Sequence, residues 1–206
     1  MFVRTRTLLS FLAAATLLVA ACGGSSKPAS SPTTAAGTTA NAPTTASGST
    51  VTTVHVAKPA GDQPSISAQM VCQKEAITDI YNEATGVQTI KTPTPSWDKS
   101  THIFKCVYAY AGGATMTLSV KEMSSAAETT AYFDNYASTL GKKQDLQGLG
   151  QGAFQVNNGS VVVRKDFKVL LVDITKLPKS FGVPAETPGD AAINVAEAIL
   201  GCWTGA

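Results

Sequence analysis

Apolar side chains are spread along this chain in three distinct ways. Leu8 to Val19 is an almost unbroken apolar run, and from Gly23 to about Asp62 large apolar residues nearly vanish. Beyond Gln63 they return with the periods of helices and strands. Ala76, Ile77, Ile80, Tyr81 and Ala84 recur at helical spacing, which predicts a helix from about Ser67 to Thr85, stopped by Gly86. The Thr92–Asp98 stretch, TPTPSWD, reads as a rigid loop, because its two prolines do not fit a central strand. HIFKCVYAYAGGATMTLSVKE then predicts a hairpin turning at Gly112-Gly113. In its second arm Met116, Leu118 and Val120 face one way, and Thr115, Thr117, Ser119 and Lys121 the other.

Ser125 and Glu128 have the spacing of a capping box. They open a second helix that buries Tyr132, Phe133, Tyr136, Ala137 and Leu140 and ends at Gly141. A meander follows: GAFQV, a turn at Asn157-Asn158-Gly159, SVVVRKD, then KVLLVDI. The last helix starts at Thr187 with Pro188 in its first turn, and buries Ala192, Val195, Ala196, Ile199 and Leu200. The expected fold is α+β, a meandering antiparallel sheet of about five strands with three helices, in the order α-β-β-α-β-β-β-α. Tight turns make neighbouring strands antiparallel, and the helices are expected on one face of the sheet.

The first two segments are of another kind. Residues 1–21 read as an export signal: Arg4 and Arg6, the apolar run, then Ala20-Ala21. The run is shorter than the roughly 20 residues that span a bilayer. Residues 22–62 hold no aromatic side chain, and the first after the signal is Tyr81. Such a chain cannot offset its ordering entropy by burial, so a disordered stalk of roughly 35 Å end-to-end reach is predicted. Its Thr-Pro clusters suit either an O-glycosylated tract or a plain spacer. Residues 63–206 form the only candidate domain, large enough to bury roughly two-thirds of its unfolded surface.

The chain carries 16 basic and 14 acidic side chains, and the two balance once Arg4 and Arg6 leave with the signal. A balanced chain has no global field to attract nucleic acid, which is dropped as a partner.

Val19-Ala20-Ala21-Cys22 resembles the lipobox of bacterial lipoproteins. The resemblance implies cleavage before Cys22 and a diacylglyceryl group on its thiol. Two acyl chains at about 0.8 kcal/mol per buried methylene hold a protein on a membrane durably where one does not. The plain alternative is secretory cleavage near Ala21 that leaves an unmodified thiol.

Three cysteines remain, Cys72, Cys106 and Cys202, each at a position that faces the core. Outside the cytosol two should pair. Cys72–Cys106 is favoured, with Cys202 a buried thiol beside Trp203, while Cys72–Cys202 and Cys106–Cys202 stay open.

No residue pattern announces a reaction. Gly148–Ala153, GLGQGA, fits the dinucleotide motif, but that chemistry needs a helix at the loop, and a strand and a turn follow instead. The domain holds one histidine, His102, without a G-x-S-x-G elbow, so a Ser-His-acid triad would have to be assembled by the fold. Asp79 and Glu83, four apart on the first helix, are expected on its solvated flank. No metal-ligand spacing and no cofactor motif occurs. Arg164, Lys165 and Lys168 cluster at a hairpin tip, a candidate contact for an anionic partner, with an ordinary solvated turn the favoured reading.

The anchor, the stalk, the first-helix cysteine, FKCVYAY, GLGQGAF and the Ala-rich last helix together resemble the cell-envelope lipoproteins of actinobacteria, a family of domains of unknown function. They are distantly similar to extracytoplasmic sensor domains of some mycobacterial kinases. Three domain cysteines are too few for the two disulfides of those sensors, and no kinase is attached. The expected role is a non-catalytic binding or accessory module on the outer face of the cell membrane, held by membrane lipid. Its partner would be an envelope protein, a wall polymer or a lipid. Two alternatives are a carrier with an apolar cavity between sheet and helices, and an envelope hydrolase using His102.

Overall fold

The structure, a computed structural model, describes residues 60–203. The signal segment, Cys22 and the stalk through residue 59, His55 included, lie outside the described residues.

The domain is α+β with one antiparallel sheet. It has seven strands where the pattern predicted five: β1 Thr94–Asp98, β2 Ile103–Ala109, β3 Thr115–Glu122, β4 Lys142–Leu146, β5 Gly152–Val156, β6 Val161–Lys165 and β7 Lys168–Lys176. They lie in the order β1-β2-β3-β7-β6-β5-β4. Two meanders, β1–β3 and β4–β7, are thus joined where β3 pairs β7, with Leu118 opposite Val172 and Val120 opposite Leu170.

Both unexpected strands are edges. β1 is the supposed loop, and Pro95 sits opposite Cys106 in it; at an edge a residue without an N–H leaves no ladder bond broken on the far side. β4, KKQDL, is exposed almost throughout and shows no apolar alternation to betray it. Its lysines are the kind of residue that discourages edge-to-edge association.

The first helical segment is broken rather than continuous. Helix α1 spans Ile66–Met70 and helix α2 Lys74–Asp79, which widens into a π-helical turn, Ile80–Thr85, before the left-handed Gly86. Cys72 lies in the break and is bonded to Cys106. Helix α3 spans Ala126–Leu140 and α4 spans Pro188–Cys202, the latter capped by the Thr187 side chain as expected.

The helices do not share one face. Helices α1, α2 and α4 cover the side carrying Cys106, Tyr108, Met116, Leu118, Val161, Val163, Leu170 and Val172. Helix α3 lies on the opposite side, packing Tyr132, Phe133 and Tyr136 against Phe154, Val156, Val162 and Val169. The reason is in β5 and β6, where Ala153–Val156 and Val161–Val163 are buried at every position. A strand that is apolar on both sides needs cover on both. The outer half of the sheet keeps its polar face, and β3 alternates as predicted.

At the start of α3 the cap is half as expected. Ser125 Oγ accepts from the Glu128 N–H at 3.1 Å, but the Glu128 carboxylate reaches one residue further back, accepting from Ser124 N and Oγ at 2.9 and 2.7 Å. Those bonds, with smaller help from Lys121 and His102, hold its carboxyl below the usual 4.5.

Two outcomes follow from this architecture. Replacing Cys72 and Cys106 together by alanine lowers unfolding free energy by about 4 kcal/mol in the chain-entropy account, read by guanidinium denaturation. A lowered folded pKa contributes stability that is complete above the unfolded value and is lost as pH falls through the folded one. The protection factors of the Thr129 and Thr130 amides, taken relative to intrinsic exchange at each pH, therefore fall on acidification below pH 4.5, and Glu128→Gln removes that pH dependence.

Candidate functional site

Two tyrosines point from the β2 arm toward the broken helix. Tyr108 lies near the end of β2 and Tyr110 one residue past it, and both are buried. Burial pushes both hydroxyls above the ordinary phenol range, so both rings are neutral near pH 7.

Their hydroxyls meet different fates. Tyr108 Oη donates to the Val71 carbonyl at 2.6 Å, one residue before the disulfide-bonded Cys72. Tyr110 packs edge-to-face on Phe181 with ring centroids 4.8 Å apart, and its buried hydroxyl has no hydrogen-bond partner among the described residues.

Between these rings and the helical layer lies a half-open pocket of about 230 Å³. Ile77, Thr78, Ile80 and Tyr81 form the helical wall, where α2 passes into the π turn, and Val87, Gln88 and Thr89 close the side. π-Helical turns are often found at functional sites, because the extra residue per turn redirects side chains. No lining residue carries a carboxylate or a cationic group. The wall is held in place from behind: a Cβ on Gly86 would sit 2.5 Å from the Val183 carbonyl, and Val183 N donates to the Thr85 carbonyl at 2.7 Å.

A wider groove of about 420 Å³ lies between the Gly148–Gln151 loop and α4. Its charges oppose one another, Lys165 against Asp166 and Glu197. Its polar groups are also engaged with neighbours, Lys165 Nζ with the Trp203 carbonyl at 3.0 Å and Gln151 Nε2 with Asp166 at 3.2 Å.

The residues singled out from sequence fall as follows. Cys72 and Cys106 are joined, and Cys202 is not disulfide-bonded. Cys202 is half-buried, and its Sγ donates to Asp79 Oδ2 at 3.2 Å. Asp79 thus faces α4 instead of solvent; Glu83 is exposed. The three cations of the hairpin tip do not converge on one spot. Arg164 donates to Thr130 Oγ1 and, at 3.0 Å, to the Gln151 carbonyl, with its guanidinium 5.7 Å from the Phe133 ring. Lys165 turns to Trp203. Lys168 starts β7 on the far side of the two-residue turn, opposite Lys165.

His102 stacks on Trp97 with centroids 6.0 Å apart, in a left-handed backbone conformation between β1 and β2. Its ring makes no hydrogen bond to a serine or carboxylate among the described residues, and nearby Asp98 is committed to Ser100 and Thr101. No helix opens at Gly148–Ala153: Gly148 and Gly150 are left-handed turn residues, and β5 begins at Gly152. Among the described residues no group of three His, Cys, Asp or Glu side chains is placed to hold a metal ion.

Periodicity puts Tyr108 and Tyr110 on the core face beside Cys106, yet it carries no trace of the pocket. The unequal lot of the two hydroxyls depends on where Val71 and Phe181 arrive, far away along the chain. No protein-family model, curated protein or solved structure matches this chain.

The two tyrosines should respond oppositely to loss of the hydroxyl. Tyr108→Phe strands the Val71 carbonyl and costs about 1–2 kcal/mol, whereas Tyr110→Phe is neutral or stabilising because no bond is lost. Paired denaturation curves of the two variants check this.

Proposed function

We propose that this chain is a lipid-anchored extracytoplasmic protein of the cell envelope whose globular domain is a non-catalytic binding module. The observation that carries the location is the Cys72–Cys106 disulfide. Structural disulfides persist in oxidising compartments and are rare in the reducing cytosol, so the bond agrees with the export signal and the lipobox-like Val19–Cys22. The anchor is Cys22, with membrane lipid as its partner.

Binding is favoured over catalysis by how the polar groups are used. The His102 ring is stacked on Trp97, and the hairpin cations Arg164 and Lys165 are spent on internal contacts. Of the two openings described, the groove beside Glu197 sets opposite charges against each other, and the pocket beside Tyr110 is uncharged. That pocket favours, as a second reading, the carrier of a small apolar ligand over a module that grips polymer by charge.

Expression in the native host with labelled palmitate, followed by a detergent phase split, tests the anchor. The wild-type chain should carry label and enter the detergent phase, and Cys22→Ala should lose both properties. Wild-type protein found wholly in the aqueous phase with an unmodified Cys22 would overturn the proposal.

A further inference from the structure

We infer that the pocket between Ile80 and Tyr110 is a binding site for a neutral, mainly apolar ligand carrying one carbonyl or hydroxyl oxygen, which the Tyr110 hydroxyl engages. This deepens the binding-module reading by giving it a site and a ligand class, and it does not depend on the anchor.

Three independent observations converge here. The first is the orphaned hydroxyl. Tyr110 is 2 % exposed, and its Oη has no hydrogen-bond partner among the described residues, although it belongs to a residue lining a pocket. A buried hydroxyl without a partner is costly; the oxygen is closed to solvent, so a ligand oxygen reaches it only with a small turn of the Tyr110 ring, and that contact removes the cost. Tyr108, on the same wall, shows the contrast: its hydroxyl is already taken by Val71, so it contributes only its ring face.

The second is the absence of charge. Ile77, Ile80 and Val87 supply aliphatic walls, and Thr78, Tyr81, Gln88 and Thr89 supply further polar groups, none of them charged. A carboxylate or phosphate placed here would find no cation among the lining residues, and a buried unpaired charge is strongly disfavoured. Neutral ligands are therefore selected.

The third is the surroundings of the mouth. Among the described residues four large apolar side chains are exposed: Ile66, Tyr81, Ile90 and Val183. Two of them belong to this neighbourhood. Tyr81 lines the pocket, and Ile90 follows the lining residue Thr89. Exposed apolar side chains gathered around one opening mark an interaction surface, where scattered ones do not. A volume of about 230 Å³ equals that of roughly eight water molecules. It admits a short chain or a single ring, with the remainder of a longer molecule lying over the apolar rim.

The test uses the full chain with its disulfide intact and Cys22→Ala, so that no acyl group competes for the pocket. Methyl hexyl ketone is titrated while backbone amide shifts are followed by NMR. Saturable shifts centred on Ile77, Ile80, Val87 and Tyr110 are expected. Octanoate, of similar size but charged, should bind at least tenfold more weakly. Tyr110→Phe should weaken the ketone about fivefold, as loss of one hydrogen bond does, without lowering the unfolding midpoint. Ile77→Phe, at a half-buried lining position, should abolish binding by filling the space; its amide spectrum verifies that it folds.

Absence of saturable shifts up to the solubility limit of the ketone would overturn the inference. So would shifts that Tyr110→Phe and Ile77→Phe leave unchanged, and octanoate binding equal to the ketone would overturn the neutral-ligand assignment. None of these outcomes bears on lipidation of Cys22, which the phase split reads separately.

Discussion

Two adjacent residues in the break of the first helical segment are fastened to two residues of one strand. Cys72 is bonded to Cys106, and the Val71 carbonyl accepts the Tyr108 hydroxyl. The covalent tie removes conformational freedom from the unfolded chain across a separation of 34 residues. The hydrogen bond orients the helical layer about that tie. Because both tethers act at the break, the α2 and π-turn segment beyond them is held over β2 at a definite height. Near the pivot the packing is tight, with Cys106 and Tyr108 fully buried. A pocket remains between the rings of Tyr108 and Tyr110 and the π turn.

The far wall of that pocket depends on the other end of the chain. Val183 is bonded to Thr85, and Phe181 meets the Tyr110 ring edge-to-face. Trp203 closes the layer from the opposite side, donating its indole N–H to the Ser67 carbonyl at 2.9 Å. The helical layer is thus fixed at its start by α4, at its middle by the disulfide and at its end by the Phe181–Val183 loop. The walls of the cavity are tied down at several points.

The second layer explains the size of the sheet. Seven strands cannot all be covered by α1, α2 and α4, and β5 and β6 are buried on both faces. Helix α3 supplies the missing cover, and Arg164 stitches it down through Thr130 while its guanidinium lies over Phe133. A cation at a hairpin tip looks from sequence like a solvent-facing charge. Here it is a strut between sheet and helix, with its aliphatic stem and planar head both in use.

Much of this was legible along the chain. The helix starts at Ser125 and Thr187, the stops at Gly86 and Gly141, the glycine turns at Gly112-Gly113 and Gly159, and the face shared by Cys106 and Tyr108 all follow from local rules, because caps, left-handed turns and alternation are decided within a few residues. The edge strands β1 and β4 were not legible: one carries Pro95 and the other has no apolar face, and only pairing with a neighbour makes either a strand. The side of the sheet taken by α3 was written in the unbroken apolar run of β6, though a single-sided expectation hid it. Sequence alone thus determined the class of fold and the placing of Cys106 on the core face. Tertiary structure alone decided which cysteines pair, that Arg164 turns inward, and that Tyr108 is satisfied where Tyr110 is not. Those outcomes turn on distances between residues far apart in the chain, and no local pattern carries a distance of that kind.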